Sequence, residues 1–224
     1  MTPSTNQRTV ILAGATGLVG QEILKGLLHD DTVAAVHVLG RRKPAQQHPK
    51  LTAHIVDFAA LPELPQAHEV YLALGTTIQV AGSQNAFRAI DCDANLAVAQ
   101  AALAAGAKKL GLVSAMGADA ASKIFYSQVK GELEDALAKL PFEGMVIARP
   151  SMLVGQRDQL GQPVRSGEVL AFKLSQCLGW LIPANYKPVA ATAVAQALLS
   201  TVPSAQRAVV LLSGALQKQA PAPR

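Results

Sequence analysis

Three glycines follow the first apolar run of the chain, within the stretch Gly14-Ala15-Thr16-Gly17-Leu18-Val19-Gly20. The run before them, Val10-Ile11-Leu12, is typical of a buried strand, and the residues after them have helical spacing. In such a unit the first glycine permits a tight turn, the second admits a pyrophosphate and the third lets the helix pack closely. The helix N-terminus adds N–H donors and a positive dipole end. We predict a dinucleotide site at Gly14, Thr16, Gly17, Leu18, Val19 and Gly20.

Apolar runs alternate with longer amphipathic stretches along the rest of the chain, which is typical of repeated β-α units. We predict strands near 9–13, 34–39, 52–57, 69–74, 109–113, 143–148 and 207–212. We predict helices near 18–29, 84–105, 122–139, 166–180 and 190–202. Short apolar strands need helices on both faces of a parallel sheet. The expected fold class is therefore α/β, a doubly wound parallel sheet (Rossmann fold) that binds ligands at the carboxyl ends of its strands.

A length of 224 residues fits a single domain over 1–224. We expect disordered ends at 1–7 and about 214–224, and a small substrate-side cap of loops and one helix at 150–188, where the β-α pattern weakens. No apolar run is long enough for a membrane span, and the polar start lacks the apolar core of a signal peptide. These features predict a cytoplasmic protein without a membrane association.

Charge and cysteine content argue against two further classes of protein. The net charge is +5, but no basic block is longer than Arg41-Arg42-Lys43, so we expect no nucleic-acid partner. The two cysteines, Cys92 and Cys177, are too few and too far apart for a disulfide framework or a metal knuckle. We therefore expect no metal.

The end of the second predicted strand carries Arg41 and Arg42. Sites that prefer NAD(H) have an acidic residue about 20 residues past the glycines, where it holds the ribose hydroxyls. Arginine at that position instead suits a 2′-phosphate, through a charge-assisted fork. The sequence therefore favours NADP(H) over NAD(H), with a solvated basic loop as the alternative.

Two later strand ends are expected to complete the cofactor site. Asp57 follows the third strand and is suited to accept a hydrogen bond from the adenine amino group, and Phe58 would lie against the adenine ring. The alternative is that Asp57 is a simple turn carboxylate. Small residues after the fourth strand let the backbone run beside the cofactor ribose. The residues assigned there are Leu74, Gly75 and Thr76.

A candidate catalytic group follows the fifth strand. Ser114 stands at its carboxyl end, and Tyr126 and Lys130 lie four residues apart on the next helix, so they share a face. A phenol has a pKa of about 10, and a nearby ammonium favours its ionised form. We predict that Ser114 orients a substrate carbonyl while Tyr126 exchanges a proton during hydride transfer. An accidental tyrosine–lysine spacing on a helix is the alternative.

The chain resembles the Tat-interacting-protein-like branch of the atypical short-chain dehydrogenase/reductase superfamily over roughly 8–213. The stretches that carry the resemblance are Gly14 to Gly20, Ser114-Ala115-Met116-Gly117-Ala118, Phe125 to Glu132, Arg149-Pro150-Ser151 and Gly155-Gln156-Arg157. It implies NADP(H) binding, an active site of Ser114, Tyr126 and Lys130, and a nicotinamide pocket lined by the loop at Pro150, Ser151 and Met152. A fourth active-site residue, an asparagine in many members, has two candidates here, Asp93 and Asn95. A homodimer through the helices 84–105 and 122–139 is also implied, with burial inside one chain as the alternative.

The predicted function is an NADP(H)-dependent oxidoreductase acting on a small carbonyl or alcohol substrate. The resembling branch includes regulators, so the alternative is a non-catalytic NADPH-binding regulatory or scaffold protein. The glycine-rich start also resembles semialdehyde dehydrogenases, which need a cysteine nucleophile. Cys92 and Cys177 are both expected on helices, and neither is followed by the motif of those enzymes.

Overall fold

A computed structural model describes residues 7–154 and 183–218 of the chain. Its secondary structure begins with β1 (Arg8–Ala13), α1 (Leu18–His29), β2 (Val33–Gly40), β3 (Leu51–Ile55), β4 (Glu69–Leu72), α2 (Ile78–Ala81) and α3 (Gln84–Arg88). A π-helix (Ala89–Ala94) leads into α4 (Asn95–Ala104), followed by β5 (Lys109–Val113), α5 (Phe125–Ala138), β6 (Gly144–Arg149) and β7 (Leu153–Val154). The remaining elements are β8 (Val189–Ala190), α6 (Ala191–Thr201), β9 (Ala208–Leu212) and α7 (Ser213–Gln217), with 3₁₀ turns at Ala184–Tyr186 and Val202–Ser204.

Seven strands form one parallel sheet in the order β3-β2-β1-β4-β5-β6-β9. The order reverses between β1 and β4, which is the topological switch point where such sheets bind their ligands. A separate pair of short strands, β7 and β8, lies outside the main sheet. The predicted doubly wound parallel sheet is confirmed.

Two apolar cores cover the two faces of the sheet. Val10 and Leu12 of β1 belong to the core under α1 and α6, whereas Ile11 and Ala13 belong to the core under α4 and α5. Successive strand residues face opposite sides, so a strand buried on both faces reads as a continuous apolar run. Small residues let the layers approach closely: a Cβ on Gly26 of α1 would lie 2.3 Å from Leu199 of α6.

The predicted helix 84–105 is one continuous stretch of helix with a widened turn in its middle. The π-helix at Ala89–Ala94 separates α3 from α4. The side chain of Asn95, which is fully buried, donates from Nδ2 to the carbonyl oxygens of Ile90 at 3.4 Å and Asp91 at 3.2 Å. These bonds satisfy backbone acceptors inside the widened turn. No propensity pattern in the sequence marks this turn.

The prediction of a disordered end from about 214 is wrong for its first residues. They form α7, and the side chain of Leu216 is fully buried in the core beside α6. This burial fixes a segment that looks weakly structured in isolation. The expected helix 166–180 and most of the expected cap at 150–188 lie outside the described residues, as do 1–6 and 219–224. Among the helices of the described ranges, none has the length and apolar character needed to cross a membrane.

Candidate functional site

Two of the three glycines in the first turn are required by the packing of the chain itself. Gly14 has a φ of +89°, and a Cβ there would lie 2.3 Å from the backbone of Ala73 after β4. A Cβ on Gly20 would lie 2.0 Å from the carbonyl oxygen of Gly14. Both positions therefore exclude any larger residue, whether or not a ligand binds.

Gly17 is different, because nothing in the described structure requires a glycine there. Its φ is −81°, which suits any residue, and its nearest neighbour to a built Cβ is the Gly14 oxygen at 3.4 Å, an ordinary contact. Gly17 is the N-cap of α1 and forms no side-chain capping bond. Gly17 therefore leaves bare backbone beside the free N–H donors of a helix N-terminus, an arrangement that suits a phosphate group.

The other residues of the turn take part through their backbone. Val19 is buried in the core and Leu18 packs partly against it, so their side chains serve the fold. Thr16 is exposed, and its carbonyl oxygen accepts a hydrogen bond from Gln21 Nε2 at 3.3 Å. The turn therefore presents a backbone surface at the switch point of the sheet.

Arg41 and Arg42 follow β2 and are both exposed. Within the described ranges, neither guanidinium has a carboxylate within salt-bridge distance. A Cβ on Gly40 would lie 3.1 Å from the carbonyl oxygen of Arg42, so the chain turns tightly at this strand end. The turn brings two positive charges to the ligand-binding edge of the sheet.

Asp57 forms a turn, which agrees with its alternative interpretation as a simple turn carboxylate. Its Oδ1 accepts the N–H of Ala59 at 2.9 Å, and its carbonyl oxygen accepts the N–H of Ala60 at 3.1 Å. Phe58 is partly buried and packs against the core under α4 and α5. The carboxylate keeps its second oxygen for another partner, so the turn role and an adenine contact are compatible.

The loop after β4 is held by side chains of the widened helix. Asn95 Nδ2 donates to the carbonyl oxygen of Leu74 at 3.2 Å. Asp91 Oδ2 accepts the backbone N–H of Thr76 at 2.8 Å, and a Cβ on the intervening Gly75 would lie 3.5 Å from Asp91 Oδ1. The predicted ribose-side residues therefore have fixed backbone positions.

Lys130 is buried and pairs with Asp91, a carboxylate that was not predicted from the sequence to belong to the site. Its Nζ lies 2.7 Å from Asp91 Oδ1, with the side chains 5% and 1% exposed. Of the two earlier candidates for a fourth site residue, Asp93 is exposed and Asn95 bonds to backbone carbonyls. The only signal of Asp91 in the sequence is a carboxylate within an apolar, alanine-rich helix.

Tyr126 lies in the first turn of α5 and keeps 38% of its surface exposed. Its ring contacts Phe87 of α3, with ring centroids 5.6 Å apart at an angle of 44°. The same helix carries Lys130 one turn further on, so the structure contains the predicted shared face. The exposed phenol and the buried ammonium lie on the helix that follows β5.

Ser114 has a partner that the sequence did not predict. It is buried, and its hydroxyl donates to Glu134 Oε1. Arg149 binds the same carboxylate through Nε at 3.1 Å and through NH2. A hydroxyl has one proton to donate, so in this arrangement Ser114 accepts hydrogen bonds but does not donate to a substrate carbonyl. The predicted hydrogen bond from Ser114 to a substrate carbonyl is thus replaced in this structure by a contact with Glu134.

The loop after β6 is tied to the C-terminal part of the chain. The carbonyl oxygen of Pro150 accepts the N–H of Met116 at 2.9 Å. Ser151 donates from Oγ to the Lys187 carbonyl at 2.7 Å and from its N–H to Ser213 Oγ at 2.8 Å. Met152 accepts the N–H of Val189 at 2.8 Å. This loop therefore lies beside the loop after β5 that begins at Ser114.

Curated relatives align with most of the chain. The FMP52 protein of Coccidioides immitis is 34% identical over 92% of this chain and 93% of its own length. HTATIP2 of Rattus norvegicus is 36% identical over 74% of this chain and 69% of its own length. The chain belongs to the Tat-interacting-protein-like branch of the short-chain dehydrogenase/reductase superfamily. No protein-family model matches it.

Solved structures of the short-chain dehydrogenase/reductase superfamily share the fold. A UDP-N-acetylglucosamine 4-epimerase from Methanobrevibacter ruminantium has a TM-score of 0.68 at 14% identity, covering 93% of this chain and 77% of its own. An oxidoreductase from Burkholderia thailandensis has a TM-score of 0.67 at 17% identity, covering 95% of this chain and 94% of its own. At these identities the similarity concerns the fold alone.

The relatives in this branch contradict the predicted cytoplasmic location. The FMP52 proteins of Coccidioides immitis, Candida albicans and Emericella nidulans are all named mitochondrial proteins. The prediction rested on the lack of a membrane-spanning run and on the polar start of the sequence, and it is wrong by this comparison.

The relatives also favour this superfamily over the semialdehyde dehydrogenases. Burial raises the pKa of the Cys92 thiol, with a further contribution from Asp93, which opposes thiolate chemistry; Cys177 lies outside the described residues.

Proposed function

We propose that this protein is an NADP(H)-dependent oxidoreductase that transfers hydride between the cofactor and a small carbonyl or alcohol substrate. Gly17 is the observation that carries the proposal, because its missing side chain has no explanation within the described fold and leaves room for a pyrophosphate. The cofactor supplies the hydride, and the chain holds it through the backbone from Gly14 to Gly20. The adenine-side residues are Arg41, Arg42, Asp57 and Phe58, and the ribose and nicotinamide side comprises Leu74, Gly75, Thr76, Pro150, Ser151 and Met152.

The proposed roles of the catalytic residues follow from their positions on α5. Tyr126 is 38% exposed, and in this proposal its hydroxyl donates a proton to the carbonyl oxygen on reduction, or accepts it on oxidation. Lys130 has three N–H donors, and Asp91 occupies one of them, so two are left for ribose hydroxyls and the phenol. In this proposal Ser114 orients the substrate after exchanging its bond to Glu134 for one to the carbonyl.

Gly17→Ser tests the cofactor site without disturbing the fold. Serine is a preferred N-cap residue and accepts the φ of −81°, so the unfolding temperature should be unchanged or higher. Its side chain would fill the space assigned to the pyrophosphate, and we expect NADPH to bind at least ~10-fold more weakly, a loss of about 1.4 kcal/mol. Isothermal titration calorimetry measures this affinity. Unchanged NADPH affinity in the folded variant would remove the main support for the proposal.

Arg41→Ala and Arg42→Ala test the choice between NADPH and NADH. Both guanidiniums are exposed at the strand end where a 2′-phosphate would lie. A charge-assisted contact contributes about 1.5–3 kcal/mol, so the wild type should prefer NADPH by roughly 10- to 150-fold. Each alanine variant should lose most of that preference through weaker NADPH binding, while NADH binding stays the same. Lys43→Ala, in the same exposed loop, is the control. Equal affinity of the wild type for both nucleotides would contradict the assignment.

The second candidate function is a regulatory or scaffold protein that binds NADPH without turnover. The contact of Ser114 with Glu134 favours it, because the hydroxyl proton is already donated to a buried carboxylate. Oxidation of NADPH in the presence of a panel of carbonyl compounds distinguishes the two functions. We also propose the homodimer predicted from the sequence, for either function, with the predicted helices 84–105 (α3, the π-helix and α4) and 122–139 (α5) as the contacting helices.

A further inference from the structure

We propose that Asp91 is a positioning residue that fixes the ammonium of Lys130 relative to the cofactor loop after β4. The inference rests on the proposed function, because Lys130 and this loop are assigned there to the cofactor ribose. Asp91 was not among the site residues predicted from the sequence. It acts through Lys130 and through the backbone of Thr76.

The two oxygens of Asp91 bind two different parts of the site. Oδ1 lies 2.7 Å from Lys130 Nζ, and Oδ2 accepts the Thr76 N–H at 2.8 Å. One carboxylate therefore connects the helix that carries Tyr126 with the loop after β4. Helix α5 packs against the π-helix that carries Asp91, so Asp91 can contact both Lys130 on α5 and the loop after β4.

Asp91 lies within a turn whose backbone is held by a neighbouring side chain. This turn is the π-helix, where i→i+5 hydrogen bonds enclose one more residue than those of an α-helix. Asn95 holds the turn through the carbonyl oxygens of Ile90 and Asp91, and it also holds Leu74. The side-chain amide of Asn95 thus anchors both the backbone around Asp91 and the loop after β4.

Burial makes the pair sensitive to the loss of either charge. The Lys130 side chain is 5% exposed and that of Asp91 is 1% exposed, so water does not replace a missing partner. A free lysine side chain has many rotamers, whereas a buried ion pair holds the ammonium in one position. The charge of Asp91 also compensates that of Lys130, so this pair carries no net charge before the nucleotide binds.

The experiment compares NADPH affinity in Asp91→Asn, Lys130→Met and the double variant by calorimetry, together with thermal unfolding without nucleotide. Asp91→Asn should weaken NADPH binding about 10-fold, as should Lys130→Met. The asparagine keeps an oxygen that can accept the Thr76 N–H, so Asp91→Asn removes mainly the contact with Lys130. The double variant should therefore bind no more weakly than Lys130→Met alone. Asp91→Asn leaves an unpaired buried ammonium and should be destabilised. The double variant removes both charges, so it should stay folded even if Asp91→Asn does not.

Two further variants separate positioning from a general effect on the fold. Asp91→Glu keeps the charge and should restore at least half of the lost binding free energy. Asp135→Asn, which changes an exposed carboxylate on α5, should bind NADPH as the wild type does. Wild-type affinity in folded Asp91→Asn, or a double variant in which the two losses add, would overturn the inference. A wild-type protein that does not bind NADPH would instead refute the proposed function.

Discussion

Tyr126→Phe should reduce the turnover of a carbonyl substrate by ~10²–10⁴, the usual contribution of a positioned acid or base. The variant keeps the ring and its contact with Phe87, at a centroid distance of 5.6 Å, and deletes only the hydroxyl. The unfolding temperature and the NADPH affinity should therefore stay close to those of the wild type. The measurement is the rate of NADPH oxidation with a carbonyl compound that the wild type reduces.

Two companion variants check that the loss belongs to a catalytic unit. Lys130→Met should reduce turnover similarly and also weaken cofactor binding, whereas Ser114→Ala should cost less because Ser114 carries no transferred proton. The losses should not add, because the residues act together. If Tyr126→Phe turns over as fast as the wild type, the spacing of Tyr126 and Lys130 is accidental, and the chemistry lies elsewhere.

Arg149→Met should lower the free energy of unfolding by about 3 kcal/mol. This is the lower end of the range for breaking a buried pair, because Glu134 is buried whereas the Arg149 side chain is 28% exposed. The substitution leaves the carboxylate of Glu134, which is 5% exposed, with only the hydroxyl of Ser114. The hydrogen bond and charge of Glu134 raise the pKa of Arg149 in the native state, so the guanidinium stays charged throughout the accessible pH range. Urea unfolding at neutral pH measures the change. The slope of the free energy of unfolding against urea concentration should stay the same, because the surface exposed on unfolding does not change.

The matched control is Glu143→Gln, which breaks the exposed ion pair between Lys108 and Glu143. These side chains are 68% and 49% exposed, and water solvates the ammonium of Lys108 after the change. Lys109, which lies 3.7 Å from the other oxygen of Glu143, keeps its hydrogen bond to the carbonyl of Ala205. The urea midpoint of this variant should match that of the wild type. A midpoint for Arg149→Met equal to that of the control would show that Glu134 needs no positive partner.

The local sequence pattern was sufficient for the fold because each β-α unit is marked in its own residues. Helix α1 begins at Leu18 after Gly17 and ends at His29, as predicted, and strand β5 has the predicted bounds of Lys109–Val113. The widened turn was not predictable, because its stability comes from Asn95 and from packing against α5. Helix α7 was missed for the same kind of reason, since Leu216 is held by a distant helix.

The candidate site was predictable only where one residue type at one position reveals its role. Glycines at the first turn and the Tyr126/Lys130 spacing have this property. The partners of these residues do not, because Asp91 meets Lys130 and Glu134 meets Ser114 only after the sheet has brought their elements together. A carboxylate that pairs with a buried lysine cannot be distinguished, in a single sequence, from one on a solvated helix face.

The bonds of Ser151 make the C-terminal end of the described chain part of the wall of the proposed nicotinamide pocket. Its N–H donates to Ser213, the first residue of α7, and its hydroxyl donates to the carbonyl of Lys187. Removal of α7 would therefore withdraw a hydrogen-bond acceptor from the pocket, although α7 lies more than fifty positions away along the chain. A fusion partner or a cleavage near this end would be expected to alter the binding of ligands as well as the fold.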